Sequence, residues 1–353
     1  MTDNLHIKDP SKPTHIDMAF RRQPDWIHPD LIESKDPIKG RQLRVSALIP
    51  KNTCLLIDRA YAIIPVVDHP ATNDDLICSN LICSRRASSS AGRCSCPNGC
   101  IEDVAWCSDG CRNTDKARHE FECKWLKRYA PVIRAKWDEY TFGMLWLIVR
   151  LLATRSASIA MDGDIAQKTT SSISQKDWAG VQSLCGSTDT WPHEQVRSWT
   201  ILVKKYLQNS PLLPHGMSTD RILHLICQEE ANSFGLYPCE TGVFPPPNPS
   251  TDRGEQFAAA VYTTAALANH SCYPNIIHKP DDQGRMVLTA ARDILLGEEC
   301  CITYFDLTVH IDLCSRREHL RKSFRFKCQC ERCISEDSVD MTSEWDPMPV
   351  FDE

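Results

Sequence analysis

Cysteine spacing limits this chain more than any other feature. There are nineteen cysteines, an odd number, and most crowd into two short stretches. The first runs Cys78-x4-Cys83, Cys94-x-Cys96-x3-Cys100, Cys107-x3-Cys111 and His119-x3-Cys123; the second is Cys328-x-Cys330-x2-Cys333. Thiolate and imidazole ligands at such spacings converge on a tetrahedral metal, and His119-x3-Cys123 on a helix puts both side chains on one face. In a reducing compartment clusters of this kind bind metal more often than they form disulfides. A disulfide-rich insert is the competing reading, and it needs a secreted chain. The start, Met1-Thr2-Asp3-Asn4-Leu5-His6, lacks the charged-then-apolar pattern of a secretory signal, so an intracellular protein is expected. A segment as short as 78–123 cannot build a core from its own apolar residues. Its folding is expected to draw on metal binding, worth about 10–16 kcal/mol per structural site.

The 353 residues have room for roughly two or three domains. Apolar (42%) and charged (24%) fractions are those of an ordinary globular protein. A formal net charge of -6 makes nucleic acid an unlikely main partner. The longest apolar run, Met144 to Leu152 interrupted by Arg150, is too short for a membrane span and reads as a buried helix, so no membrane partner is expected. Around the first cysteine cluster, Arg112, Lys116, Arg118, Lys124, Lys127 and Arg128 interleave with Asp115, Glu120 and Glu122. That mixture reads as a solvated helix face.

In chain order, residues 1–35 are polar, proline-interrupted and weakly periodic, and read as an extension. From Lys39 to Ile57, apolar alternation broken at Ile49-Pro50-Lys51-Asn52 predicts two short strands and a turn. From Lys124 to about Ser210, apolar residues recur at helical spacing, with a polar surface loop over 153–174. The proline run 244–249 is a loop. The small apolar run from Phe257 to Leu267 predicts a packed helix leading into a turn stopped by Pro274. The tail after Cys333 carries seven acidic residues and no lysine or arginine, which predicts a solvated or disordered end.

That turn is Asn269-His270-Ser271-Cys272-Tyr273-Pro274-Asn275, and so dense a polar cluster asks for a chemical task. Asn269-His270-Ser271 also fits a glycosylation acceptor, which again needs secretion. Downstream lie Gly297-Glu298-Glu299-Cys300-Cys301-Ile302-Thr303-Tyr304 and the late cysteines. The three motifs, in this order, resemble those of the SET-domain methyltransferases, while Cys107-x3-Cys111-x7-His119-x3-Cys123 resembles the MYND zinc finger. Together they resemble the SET-and-MYND group of protein-lysine methyltransferases.

The resemblance implies an α+β fold, in which a SET-domain β-fold with a knot-like crossing carries an inserted MYND finger, a helical insertion and a post-SET zinc site. Its expected segments are an N-terminal extension (1–35), SET domain first part (36–77), finger (78–123), helical insertion (124–228), SET core (229–312), post-SET segment (313–334) and acidic tail (335–353). It implies S-adenosylmethionine as methyl donor and a protein or peptide lysine as acceptor. Tyr304 takes the catalytic place. Lys39, Arg41, Glu230, Asn232, Asn269, His270 (mainly through its backbone), Tyr304 and Phe326 take cofactor places. Gln42 stands where the family has the second glycine of a Gly-x-Gly loop, a departure that bears on the contacts of Lys39 and Arg41. Three zinc ions are implied. Cys78, Cys83, Cys107 and Cys111 would hold one; Cys96, Cys100, His119 and Cys123 a second, with Cys94 as an alternative to Cys96; and Cys272, Cys328, Cys330 and Cys333 a third. The remaining cysteines, Cys54, Cys94, Cys185, Cys227, Cys239, Cys300, Cys301 and Cys314, read as small core or surface residues. The finger is a possible site for a protein partner. Two other functions fit the same residues: a non-catalytic zinc-finger interaction protein with a degenerate SET core, and a SET enzyme acting on a small molecule.

Overall fold

The computed structural model describes residues 25–66, 75–88, 92–162, 178–208, 217–246 and 252–343. Most of the expected extension, the later part of the 153–174 loop, the end of the proline run and the last ten residues of the acidic tail lie outside these residues.

The β-rich half is built from small sheets. Trp26–Ile27, Cys54–Asp58, Met286–Ala290 and Ile276–Pro280 form, in that order, a four-stranded antiparallel sheet. Ser233–Leu236, Ala258–Val261 and Ala62–Pro65 form a three-stranded antiparallel one. Leu43, Leu55, Ile63, Ala260, Tyr262, Ile276 and Leu288 close the core between them. Asp58, at the end of its strand, holds the turn that follows Ala258–Val261, its Oδ2 accepting from the backbone N–H groups of Thr264 (3.0 Å) and Ala265 (2.9 Å). Asn269–His270 runs parallel to Cys301–Ile302. That ladder lies where the resemblance puts the crossing.

The structure corrects five of the expectations. Residues 153–162 continue the helix Glu139–Asp162 instead of opening a loop. Residues 334–343 of the tail belong to the helix Glu331–Ser343, which Arg316 and Arg317 hold through Glu336 and Asp337. The other three concern the β-rich half and the finger. First, the β-fold begins inside the supposed extension, because Leu31–Asp36 pairs along its length with Gly40–Val45. The polar run Glu33-Ser34-Lys35-Asp36 hides this strand, of which only Leu31 is buried. Its hairpin is set by turn chemistry: Asp36 Oδ1 accepts from the N–H groups of Ile38 and Lys39 (2.8 Å each), and Gly40 takes φ +79°. The strands at 40–45 and 54–58 both exist, but each pairs elsewhere. Second, Phe257 to Leu267 is not a helix. Ala258–Val261 is the middle strand of its sheet, and only Ala265–Leu267 makes a helical turn. Strands on both sides, with the helix Glu139–Asp162 packed nearby, override alanine's helical preference.

Third, the charged face near the finger is not uniformly solvated. Lys116, Glu120, Lys124, Lys127 and Arg128 are exposed, but Asp115, Arg118 and Glu122 are buried. Glu122, fully buried, accepts from Arg118 Nη1 (2.9 Å), Arg150 Nε (2.7 Å) and Trp146 Nε1 (3.2 Å), and faces His119 Nδ1 at 3.3 Å. Burial opposes its ionisation, yet the guanidinium charges of Arg118 and Arg150 outweigh it and hold the carboxyl well below the usual range. Arg150 also donates to Ile63 O (2.9 Å), in the three-stranded sheet. One carboxylate thus joins the finger, the helical insertion and the β-core.

The helical insertion packs as expected around the long helices Lys116–Lys136 and Glu139–Asp162. The second is long and apolar enough to cross a membrane, but it is mostly buried against this protein's own core. Thr219–Asn232 then delivers the chain to the strand Ser233–Leu236.

Replacing Glu122 with Gln leaves Arg150 buried and without its counter-charge. Equilibrium urea unfolding should show a loss of about 3–5 kcal/mol, while Lys116→Gln on the exposed face should stay within about 0.5 kcal/mol of the parent.

Candidate active site and metal centres

Two features position the site: the parallel ladder at 269–270 and 301–302, and the chain end folded back beneath it. Asn275 fastens the ladder. Its amide donates to Glu298 Oε1 (3.0 Å) and Glu299 O (2.8 Å), and its Oδ1 accepts from Cys301 N (2.8 Å). Glu299 then gathers one end of the site. It is met by Lys39 Nζ (2.5 Å), Asn269 Nδ2 (2.9 Å) and Gln42, whose amide, oriented to satisfy both ends, gives its N–H to Glu299 Oε1 (3.0 Å) and accepts from Arg44 Nε (2.8 Å). Gln42 is buried in strand geometry without positive φ, so the residue in the glycine's place causes no backbone strain there. Arg41 holds Ser183 Oγ (3.1 Å) and its carbonyl, and Arg41 O accepts from Asn269 Nδ2 (3.3 Å). Lys39, Arg41, Gln42 and Asn269 are therefore one hydrogen-bonded group centred on Glu299, which the sequence reading had not singled out.

Tyr304 follows the ladder strand Cys301–Ile302. Its hydroxyl donates to Ala268 O (3.3 Å), and its N–H donates to His270 Nδ1 (3.1 Å). With Nδ1 accepting, the ring proton sits on Nε2, 3.2 Å from Cys272 Sγ. The imidazole thus links the tyrosine backbone to the cysteine, a side-chain role beyond the expected backbone one. Burial lowers its pKa to about 3, so the ring is neutral. Burial also pushes the Tyr304 phenol well above its usual range, with Cys301 adding to the effect. Phe326 packs on His270 and edge-on to Tyr304, with ring centroids 6.0 and 6.3 Å apart.

Tyr304, Ala268 and Ile302 line a cavity of about 120 Å³ together with Asn232, Phe234, Tyr237, Thr241, Arg253, His278 and Phe324. Asn232 donates both amide protons to carbonyls, Cys185 O (2.6 Å) and Gln228 O (2.7 Å). Glu230 is not on the cavity wall; its Oε2 accepts from the hydroxyl of Tyr140. Its neighbour Glu229 is buried, and burial together with the Glu230 charge pushes that carboxyl well above the usual range. Sequence reasoning missed Phe234's ring, Phe324, His278 and Arg253, since nothing in a linear pattern joins them.

Three groups of four donors have their ligand atoms within 4.8 Å of one another: Cys78, Cys83, Cys107 and Cys111; Cys96, Cys100, His119 and Cys123; and Cys272, Cys328, Cys330 and Cys333. Zn–S bonds of about 2.3 Å put the sulfurs of a tetrahedral site about 3.8 Å apart. Here Cys83 and Cys107 are 3.6 Å apart, Cys96 and Cys123 3.6 Å, Cys272 and Cys333 3.5 Å, and Cys272 and Cys328 4.0 Å. All nineteen cysteines are free thiols, so the donors suit a metal and no disulfide competes for them. Cys94 lies outside the second group, with its thiol on Asp109 (3.3 Å). At the same group, the Glu122 carboxylate behind His119 Nδ1 is the outer partner that fixes a ligating imidazole. The third group carries four potential thiolates, and guanidinium groups offset them: Arg316, fully buried, lies 4.0 Å from Cys333 Sγ, and Arg332 donates to Cys272 O (3.4 Å).

A SET-domain family model matches residues 40–305. The chain is 29% identical over 130 residues to histone-lysine N-methyltransferase ASHR2 of Arabidopsis thaliana, covering 35% of this chain and 30% of that protein. It is 23% identical over 334 residues to a SET and MYND domain-containing protein of Dictyostelium discoideum, covering 86% and 60%. It is 26% identical over 236 residues to histone-lysine N-methyltransferase SMYD3 of Homo sapiens, covering 66% and 47%. The chain spans less than two thirds of the length of each of these relatives.

Elemental analysis of purified variants separates Cys94 from Cys96. Cys96→Ala should lower the bound metal by one ion per chain, and Cys94→Ala should leave the content unchanged.

Proposed function

Because the chain belongs to the SET-domain family, we propose that it is an S-adenosylmethionine-dependent protein-lysine N-methyltransferase of the SET-and-MYND type, holding three zinc ions. The observation that carries this reading is the meeting of Cys272, Cys328, Cys330 and Cys333 beside His270, whose ring also holds the backbone of Tyr304, a residue of the cavity wall. S-adenosylmethionine supplies a methyl group on a sulfonium. The chain's own residues have to bind it, admit a lysine, and favour the neutral amine.

Asn269 and the Glu299-centred group with Lys39 and Arg41 would hold the cofactor on one side of the ladder, and Asn232, His270 and Phe326 on the other. Their polar amides beside an aromatic face suit an adenosyl amino acid. Glu230, turned to Tyr140, holds it only if that contact opens. The target lysine would enter through the cavity lined by Phe234, Phe324 and Tyr304. A lysine in water, with a pKa of about 10.4, is neutral at pH 7 in only about one molecule in a few thousand. A half-apolar wall penalises the ammonium and raises that fraction. Tyr304 keeps its proton, donates it to Ala268 O, and leaves its oxygen lone pairs to face the partial positive charge of the transfer. Alignment of amine and methyl along one line supplies much of the rest of the rate.

The substrate in this reading is a protein presenting a lysine. The finger's exposed face, with Lys116, Glu120, Lys124 and Arg128, is the surface offered to a protein partner, and its mixed charges do not make a nucleic-acid stripe. Nineteen cysteines, none of them in a disulfide, favour residence in a reducing, intracellular compartment.

With labelled S-adenosylmethionine and a cell lysate, Tyr304→Phe should lose about a hundredfold or more of the labelling and retain cofactor binding by calorimetry. Equal labelling by both proteins would remove Tyr304 from catalysis. Cys272→Ser should lose one zinc ion per chain and most activity together; full zinc and full activity would overturn the shared site.

A further inference from the structure

Part of the cavity wall has no task in methyl transfer. His278 sits there 8% exposed, with no hydrogen-bond partner for Nδ1. It is held in place on every other side. Its backbone exchanges two hydrogen bonds with Thr241 (2.9 Å each), and its ring stands edge-on to Phe234, with centroids 6.1 Å apart. A buried polar nitrogen left unpaired is uncommon and marks a place for a water, an ion or a ligand group. Burial, helped by the charge of Arg253, lowers the ring's pKa to about 4, so it is neutral near pH 7 and carries a single N–H.

Arg253 is on the same wall, its guanidinium 3.6 Å from the ring centroid of Tyr237. Its ionic neighbour is Asp306, but Nε and Oδ2 are 3.7 Å apart, too far for a hydrogen bond, and Asp306 Oδ1 serves Thr308 N (2.9 Å) and Oγ1 (2.7 Å). Among the described residues lining the cavity there is no aspartate or glutamate. A cation and a neutral imidazole therefore face a half-open cavity whose lining offers no carboxylate of its own.

We propose that Arg253 and His278 form a subsite for an acidic side chain of the substrate, so that the enzyme selects lysines with a carboxylate close by in the peptide. The inference rests on the methyltransferase reading and names its substrate class. A carboxylate accepts from the guanidinium N–H groups and from the imidazole N–H together, and both donors are already fixed by packing. The same positive wall disfavours a basic neighbour, and it also disfavours the ammonium form of the target lysine.

The test uses the full chain, labelled S-adenosylmethionine and short peptides containing one lysine, in which Glu, Gln or Arg is scanned through the flanking positions. Glu at one flanking position should raise kcat/KM by about tenfold over Gln, chiefly through KM. His278→Leu and Arg253→Gln should each flatten that preference, and Arg253→Glu should turn it toward Arg. Equal rates for Glu, Gln and Arg at every position, or a preference that the variants keep, would overturn the subsite. The Arg253 side chain is 26% exposed, so its variants serve even where His278→Leu fails to fold. The same peptides with norleucine for lysine, titrated by fluorescence, separate this proposal from its parent. Tighter binding of the Glu peptide, lost in Arg253→Gln, supports the subsite even if no lysine is methylated, in which case only the methyltransferase reading falls. Binding indifferent to the flanking charge overturns the subsite whether or not methyl is transferred.

Discussion

Everything around Tyr304 hangs on the approach of Cys272 to Cys328, Cys330 and Cys333. The strand ladder carries Cys272, and the late cysteines arrive on a segment more than fifty residues on. Four thiolates this close would repel one another without a cation between them, and a metal at that point would relieve the repulsion. The bond from His270 to Cys272 makes this an active-site matter, because the other nitrogen of the same ring holds the Tyr304 backbone. Cysteine cluster, imidazole and the Tyr304 backbone are consecutive links of one chain. Phe324 and Phe326 reach the cavity and the tyrosine because the cysteines just beyond them are pinned.

The finger is joined to the same core by different means. Glu122 stands behind the ligand His119 and takes up Arg118 and Arg150, and Arg150 reaches a strand of the three-stranded sheet. A buried ionic group of this sort adds little net stability over an apolar replacement, but losing one partner is costly. Its use here is geometric: it sets the finger, the helical insertion and the sheet in one relation. The exposed Lys116, Glu120, Lys124 and Arg128 take no part in it.

How much of this was legible in the sequence depends on whether the deciding signal was local. The finger's donors announce themselves by spacing, and the His119-x3-Cys123 pair by helical register. Choosing between Cys94 and Cys96 was beyond spacing, because it turned on Asp109 capturing one thiol. Asp115, Arg118 and Glu122 have the three- and four-residue offsets of a surface ladder, and only the arrival of Arg150 and Trp146 from another helix makes them interior. The alanines at 258–260 favour a helix taken alone; strands far away in sequence decide otherwise. Glu299 was quoted as part of a motif, but its gathering of Lys39, Gln42 and Asn269 appears only when the hairpin folds over it. His278 and Arg253 belong to no motif at all, and their meeting on one wall is purely tertiary.

Zinc-edge X-ray absorption on the purified, metal-replete chain addresses the central claim most directly. Eleven sulfurs and one nitrogen shared among three sites predict a first shell dominated by sulfur at about 2.3 Å, with a minor nitrogen part and no open position. A shell led by oxygen or nitrogen, or a zinc content of two per chain with Cys272 still a titratable thiol, would contradict it.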